Sequence, residues 1–147
     1  MRGIYLASVW LHILAATTWA GGMTAFVILV MPYFRRQSEV ERALFLEWFG
    51  PRFERVSWIC FGMLALTGTF NLWARGVRPS DVLRPGFYGT SFGGLLFLKL
   101  ALVGVVIVLS VLHARPAGRA RARWLGRLLF VFGLAIIAVA VMMVRAV

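Results

Sequence analysis

Two ionisable side chains interrupt runs of sequence that are otherwise almost wholly apolar. His12 sits in the first run and Lys99 in the third. An imidazole offers a nitrogen ligand to a metal. An amine offers a cation to an anionic group or, when neutral, a second nitrogen. A lysine at the centre of a membrane helix costs about 2.5 to 3.5 kcal/mol on insertion scales, part of which is recovered if the amine snorkels outward. Ionisable residues at such depth are therefore functional candidates by default. Asn71 and Thr67 in the second run are the polar groups best placed to complete a site. Trp19, near the middle of the first run, carries an indole N–H that calls for a partner or a cofactor. Each residue also has a plainer role. His12 and Lys99 can pair with structural polar groups, Trp19 can pack, the scattered methionines can fill a core, and Gly21-Gly22 and Gly93-Gly94 can mark close helix approach.

The elements that position these groups follow from hydropathy. Apolar residues make up 61% of the 147-residue chain and charged residues 14%, with a mean hydropathy of +0.86, values that exclude an ordinary soluble domain. A bilayer core of about 30 Å needs roughly 20 apolar residues of helix. Four stretches meet that length, so one all-α domain is expected: a four-transmembrane-helix bundle with spans at about residues 4–31, 56–74, 90–113 and 124–145. The first run exceeds a signal-peptide core of about 7 to 15 residues and is read as a retained span. Ser38 followed by Glu41 is a capping-box pattern and predicts a short interfacial helix over residues 39–49, ended by Gly50-Pro51. Glycines and prolines between Arg75 and Gly89 predict an irregular loop with at most a short turn at Pro79-Ser80-Asp81. Pro116-Ala117-Gly118 separates the last two spans.

Charge sets the orientation. The formal net charge is +11. Arg35, Arg36, Arg42, Arg52 and Arg55 lie between spans one and two, and Arg115, Arg119, Arg121, Arg123 and Arg127 lie around the start of span four. These ten share one side, while Arg2, Arg75, Arg78, Arg84 and Arg145 lie on the other. The positive-inside bias makes the richer side cytoplasmic, with both termini outside an inner membrane. The same bias accounts for the arginines without nucleic acid, and the basic loops suit anionic membrane lipids. Depth then locates the site. His12 lies about 12 Å and Lys99 about 13 Å below the outer end of their spans at 1.5 Å per residue. Thr67 to Asn71 fall at that level on span two, and Ala135 to Val139 form an apolar wall on span four. His113 lies about 21 Å beyond Lys99 along the helix axis, toward the cytoplasmic rim. Cys60 and Met31 are expected near that depth, so His113, Cys60 and Met31 form an alternative constellation for copper. With one cysteine the chain has no internal disulfide.

The segment from Trp10 to Gly22, with Leu11-His12 ahead of Trp19-Ala20-Gly21-Gly22, resembles the first helix of the copper-resistance protein D (CopD) domain. Arg52-Phe53, Thr67-Gly68, Asn71 and Lys99-Leu100 continue the likeness over nearly the whole chain. The His-then-Trp pattern and the intramembrane lysine are also similar to the four-helix HemJ-type membrane proteins associated with haem and protoporphyrinogen oxidation. This chain departs from that second group in its few histidines and in a Met31-Pro32 lying farther downstream. The resemblance implies two functions. In one, haem b sits in the outer half of the bundle, with His12 on the iron, Lys99 on a propionate or the iron, and Trp19, Gly22 and Asn71 shaping the pocket. The role is then electron transfer, gas binding or haem-dependent oxidoreductase chemistry, with a quinol or a redox partner protein. In the other, the protein holds or transports copper. A third reading is an accessory subunit of a respiratory membrane complex, or a homodimer, that packs through its apolar outer faces.

Overall fold

The computed structural model describes residues 2–115 and 118–145, all of them helical or in short connections, with no strand among them. Pro116 and Ala117 of the expected break lie outside the described residues. Among the described residues there are six α-helices: α1 (Arg2–Ala25), α2 (Met31–Phe34), α3 (Glu39–Ala74), α4 (Pro79–Val82), α5 (Ser91–Ala114) and α6 (Arg119–Arg145). A π-helical turn, Phe26–Val30, joins α1 to α2, so the first helical run extends to Phe34. Four runs are long and apolar enough to cross a membrane. Large apolar side chains such as Leu66, 75% exposed, and Val108, 58% exposed, face outward, as lipid contact requires.

The chain forms two compact units, residues 1–76 and 77–147. In the first, α1 packs antiparallel on α3. The π turn has a local cause. Pro32 has no N–H to give the carbonyl of Ile28, and its ring would crowd that carbonyl in a regular helix. The preceding turn widens so that the Met31 N–H donates to the carbonyl of Phe26, five residues back, and the run continues through the proline.

At the start of α3 the capping box forms as its pattern predicts. Glu41 N–H donates to Ser38 Oγ at 3.2 Å, and Ser38 N–H donates to Glu41 Oε2 at 3.0 Å. The expected end at Gly50-Pro51 does not occur. Residues 39–49 are helical, but they are the first part of a single 36-residue α3. At 1.5 Å per residue such a helix is about 54 Å long, so its first third extends beyond a 30 Å core. Pro51 leaves one carbonyl unpaired and costs a helix interior about 3 kcal/mol, but its fixed φ is already helical. Rings spaced four residues apart stack across the site. Phe45 and Phe49 lie 5.3 Å apart and nearly parallel, Phe49 and Phe53 5.4 Å apart, and Phe26 of the π turn stacks on Phe49 at 5.1 Å. Each such pair contributes about 0.5 to 1.5 kcal/mol beyond its buried area, enough together to offset the proline. Arg52 adds a hydrogen bond to the Trp48 carbonyl at 2.8 Å and lies 4.5 Å from the Trp48 ring centre.

The second unit pairs α5 with α6. Leu96 and Val106 on α5, and Leu125, Leu129 and Val139 on α6, are buried. The loop before α5 contains α4 and a 3-10 turn, Pro85–Gly89. Gly93 is where that turn closes on the helix. A Cβ there would lie 2.0 Å from the Phe87 carbonyl oxygen, so no other residue fits. Thr90 caps α5 by accepting the Gly93 N–H at 3.0 Å.

Candidate functional site

His12 lies on the stripe of α1 that faces α3, and its position is set by α3 backbone and side chain together. The imidazole Nδ1 is 2.8 Å from Thr67 Oγ1. The Thr67 hydroxyl gives its one proton to the carbonyl of Met63, 2.6 Å away, as threonines in helices commonly do. It can therefore only accept from His12, which places the proton on Nδ1 and the lone pair on Nε2. The neighbouring Gly68 keeps room for the ring. A Cβ there would lie 3.3 Å from His12 Cε1.

Polar groups continue from this pair toward the end of the hairpin that carries Arg2. Ser8, one turn before His12, directs its hydroxyl to the Thr67 carbonyl at 3.5 Å. Asn71, one turn after Thr67, has a buried Oδ1 with no hydrogen-bond partner among the described residues. One turn farther, Arg75 Nε donates to Tyr5 Oη at 3.2 Å. Tyr5 on α1 thus meets Arg75 at the C-cap of α3, Ser8 and His12 meet Thr67, and Asn71 lies one turn from Thr67 on the same face of α3. The spacing of four on α3 is visible in sequence. The Thr67 hydroxyl as the orienting partner was the contribution that sequence alone did not assign.

Past His12 the seam is largely apolar, and the part-buried hydroxyls of Ser57 and Thr24 bond to carbonyls of their own helices. Ala15 and Trp19 are buried, and Trp19 meets Phe61 edge-on with ring centres 5.2 Å apart. Gly22 faces Phe53 so closely that a Cβ would lie 2.7 Å from the ring. The space expected beside Trp19 and Gly22 is thus filled by α3 side chains. Cys60 is buried next to Phe61, level with Trp19. Met31 follows the π turn, level with the Phe45 and Phe49 rings. The two sulfurs are therefore about eleven residues, or roughly 16 Å, apart along the hairpin and do not share one site.

In the second unit, Lys99 is half-buried on the α5 stripe that includes Leu96, Val103, Val106, Ser110 and His113. It makes no hydrogen bond or ion pair among the described residues. His113 lies in the last turn of α5, beside Gly126 of α6. No group of three or more His, Cys, Asp or Glu side chains gathers among the described residues.

The family model for copper resistance protein D (CopD) matches residues 48–143. Cys60, Thr67, Asn71, Lys99 and His113 lie inside that match, while His12, Trp19, Gly22 and Met31 precede it. An uncharacterized protein of Aquifex aeolicus (strain VF5) is 28% identical over 149 residues, covering 93% of this chain and 91% of that one. No solved structure matches.

Proposed function

The chain belongs to the copper resistance protein D (CopD) family of multi-pass membrane proteins, and from that premise we propose that it binds a b-type haem through His12 and serves electron transfer in the membrane. The observation that carries the proposal is the hydrogen bond from His12 Nδ1 to Thr67 Oγ1. A histidine that ligates a metal almost always gives its other ring N–H to a fixed acceptor, which sets tautomer and ring orientation and strengthens the ligating nitrogen. Thr67, committed to Met63 by its own proton, is such an acceptor.

The donor set fits haem better than a bare ion. A porphyrin brings four nitrogens and asks the protein for one strong ligand, whereas a copper site assembled from protein alone needs several donors together. His12 supplies the first, and the His/Cys/Asp/Glu grouping a copper site would draw on is missing among the described residues. When bound, haem supplies a one-electron couple at its iron. The chain's own part would be to offer Nε2 to the iron, to keep Nδ1–H donating to Thr67 Oγ1, and to bury the pair below the membrane surface. Quinol or a redox protein is the fitting electron partner. The arginine distribution favours an inner membrane with both termini outside.

The family's description favours copper handling as the second reading. Purified protein, scanned with and without dithionite and assayed for iron and copper, separates the two. A Soret band that is lost in His12→Ala and kept in His113→Ala supports haem. Copper without porphyrin, lost on changing Cys60 or His113, supports copper. Neither metal overturns both and leaves an accessory subunit.

A further inference from the structure

The seam between α1 and α3 changes character at His12. On one side of it the facing residues are Tyr5, Ser8, Asn71, Thr67 and Arg75. On the other they are Ala15, Trp19, Phe61, Gly22 and Phe53. A helix pair needing only to hold together in lipid has no reason to place a buried amide oxygen without a partner in its interface. Buried polar atoms that lack a protein partner are the places where ordered water sits, provided that two to four polar groups converge there.

We infer that the polar half of this seam is a one-ended water path, entered beside Tyr5 and Arg75 and closed beyond His12 by Trp19 and Phe61. Asn71 Oδ1 is a buried acceptor and takes a donor that no described residue provides. Ser8 Oγ stands at the long limit of its bond to the Thr67 carbonyl and has lone pairs left to accept with. Tyr5 and Arg75 join across the mouth through a single hydrogen bond, and Arg75 is exposed. From Tyr5 to His12 is seven residues, roughly 10 Å, a span that a few waters bridge. At the far end Ala15, Trp19 and Cys60 are each less than 10% exposed, and the hydroxyl of Ser57 beyond them is turned onto the Phe53 carbonyl of its own helix at 2.8 Å. The site at His12 would then exchange water, and protons carried by it, with one membrane face only. The inference rests on the hairpin's own geometry and holds with or without haem.

The chain has one asparagine, Asn71, and one glutamine, Gln37, which lies in the connection between α2 and α3. Labelling both side-chain amides and the tryptophan indoles with nitrogen-15 in the full chain in lipid vesicles gives one Asn71 and one Gln37 amide signal beside the indole signals. Magnetisation transfer from water should reach the Asn71 amide within about twofold of the time taken to reach Gln37, and the Trp19 indole, assigned with Trp19→Phe, should lag by about tenfold or more, as a dry aromatic contact does. An Asn71 amide as slow as Trp19 overturns the path. Its closed end is tested with the water-soluble silver ion on a Cys60→Ala background. Ser8→Cys should react, and Ala15→Cys should react about a hundredfold more slowly because no water file reaches it. Equal rates would mean that the path does not stop at His12, and that result also overturns the inference.

Discussion

Replacing Thr67 with valine tests the arrangement on which the His12 site depends. Valine keeps the shape and the branched Cβ of threonine but has no oxygen, so the packing against α1 is preserved and the acceptor for His12 Nδ1–H disappears. Met63 loses only a second donor, since its carbonyl retains the helix N–H. The cost therefore falls on the imidazole. A fully buried donor left unsatisfied costs about 1 to 3 kcal/mol, but interhelical hydrogen bonds in lipid average about 0.6 and reach about 1.7 kcal/mol. His12 is half-buried, so a loss near 1 kcal/mol is expected, a fall of a few degrees in the melting temperature for a chain of this size. The effect on ligation is larger, because loss of the group that orients a ligating histidine weakens metal affinity by about 10- to 100-fold. Thermal melts in detergent and haem titration followed at the Soret band measure both. On the proposed haem reading, Thr67→Ser, which keeps the oxygen, should match the unaltered chain in the same titration. If Thr67→Val binds haem with unchanged affinity and melts at the same temperature, Thr67 does not hold the ring and the assigned tautomer is wrong.

Gly22→Ala should destabilise the first hairpin by about 1 to 3 kcal/mol, because its Cβ arrives 2.7 Å from a Phe53 ring already stacked on Phe49. Gly21→Ala, with nothing within 4 Å of the new carbon, should instead stabilise the helix by about 0.5 to 1 kcal/mol, and the pair of melting curves checks both. Gly93→Ala should cost about 3 kcal/mol or more, since the obstacle is the Phe87 backbone and not a movable side chain; poor recovery of folded protein in size-exclusion chromatography reads it. Pro51→Ala should raise stability by about 1 to 3 kcal/mol with unchanged helix content by circular dichroism, because α3 already runs through the proline.

The spans, the α3 cap and the loop before α5 were legible because each rests on local signals: an unbroken apolar run, Ser38 with Glu41, and clustered glycine and proline. The passage of α3 through Gly50-Pro51 was not, because a proline ends a helix or only bends it according to what lies around it. Here that is a row of rings at Phe45, Phe49 and Phe53, completed by Phe26 from another helix. The π turn likewise depends on Pro32 standing in a run that has to continue. At the site, the spacing of His12, Trp19 and Gly22 showed that they share a face of α1. Whether that face meets a cofactor or another helix is a long-range fact, and Phe61 and Phe53 answer it for Trp19 and Gly22.

Division of the seam into two halves also explains how one hairpin carries both a demanding site and its own stability. In lipid there is no hydrophobic force drawing apolar helices together, so the pair is held by packing, ring contacts and interhelical hydrogen bonds. The aromatic half supplies the Trp19–Phe61, Phe26–Phe49 and Phe34–Phe45 contacts along the part of α1 and α2 beyond His12. At about 0.5 to 1.5 kcal/mol each, they bind the helices firmly without help from the other end. The polar half is thereby released from holding the pair together. Its hydrogen bonds can be longer, as between Ser8 and Thr67, and an amide can be left for an outside partner, as at Asn71. Substitutions in the aromatic half should therefore lower stability with little effect on His12 chemistry. Those at Ser8, Thr67 or Asn71 should change that chemistry at a small cost in stability, and comparable stability losses in both halves would refute this division.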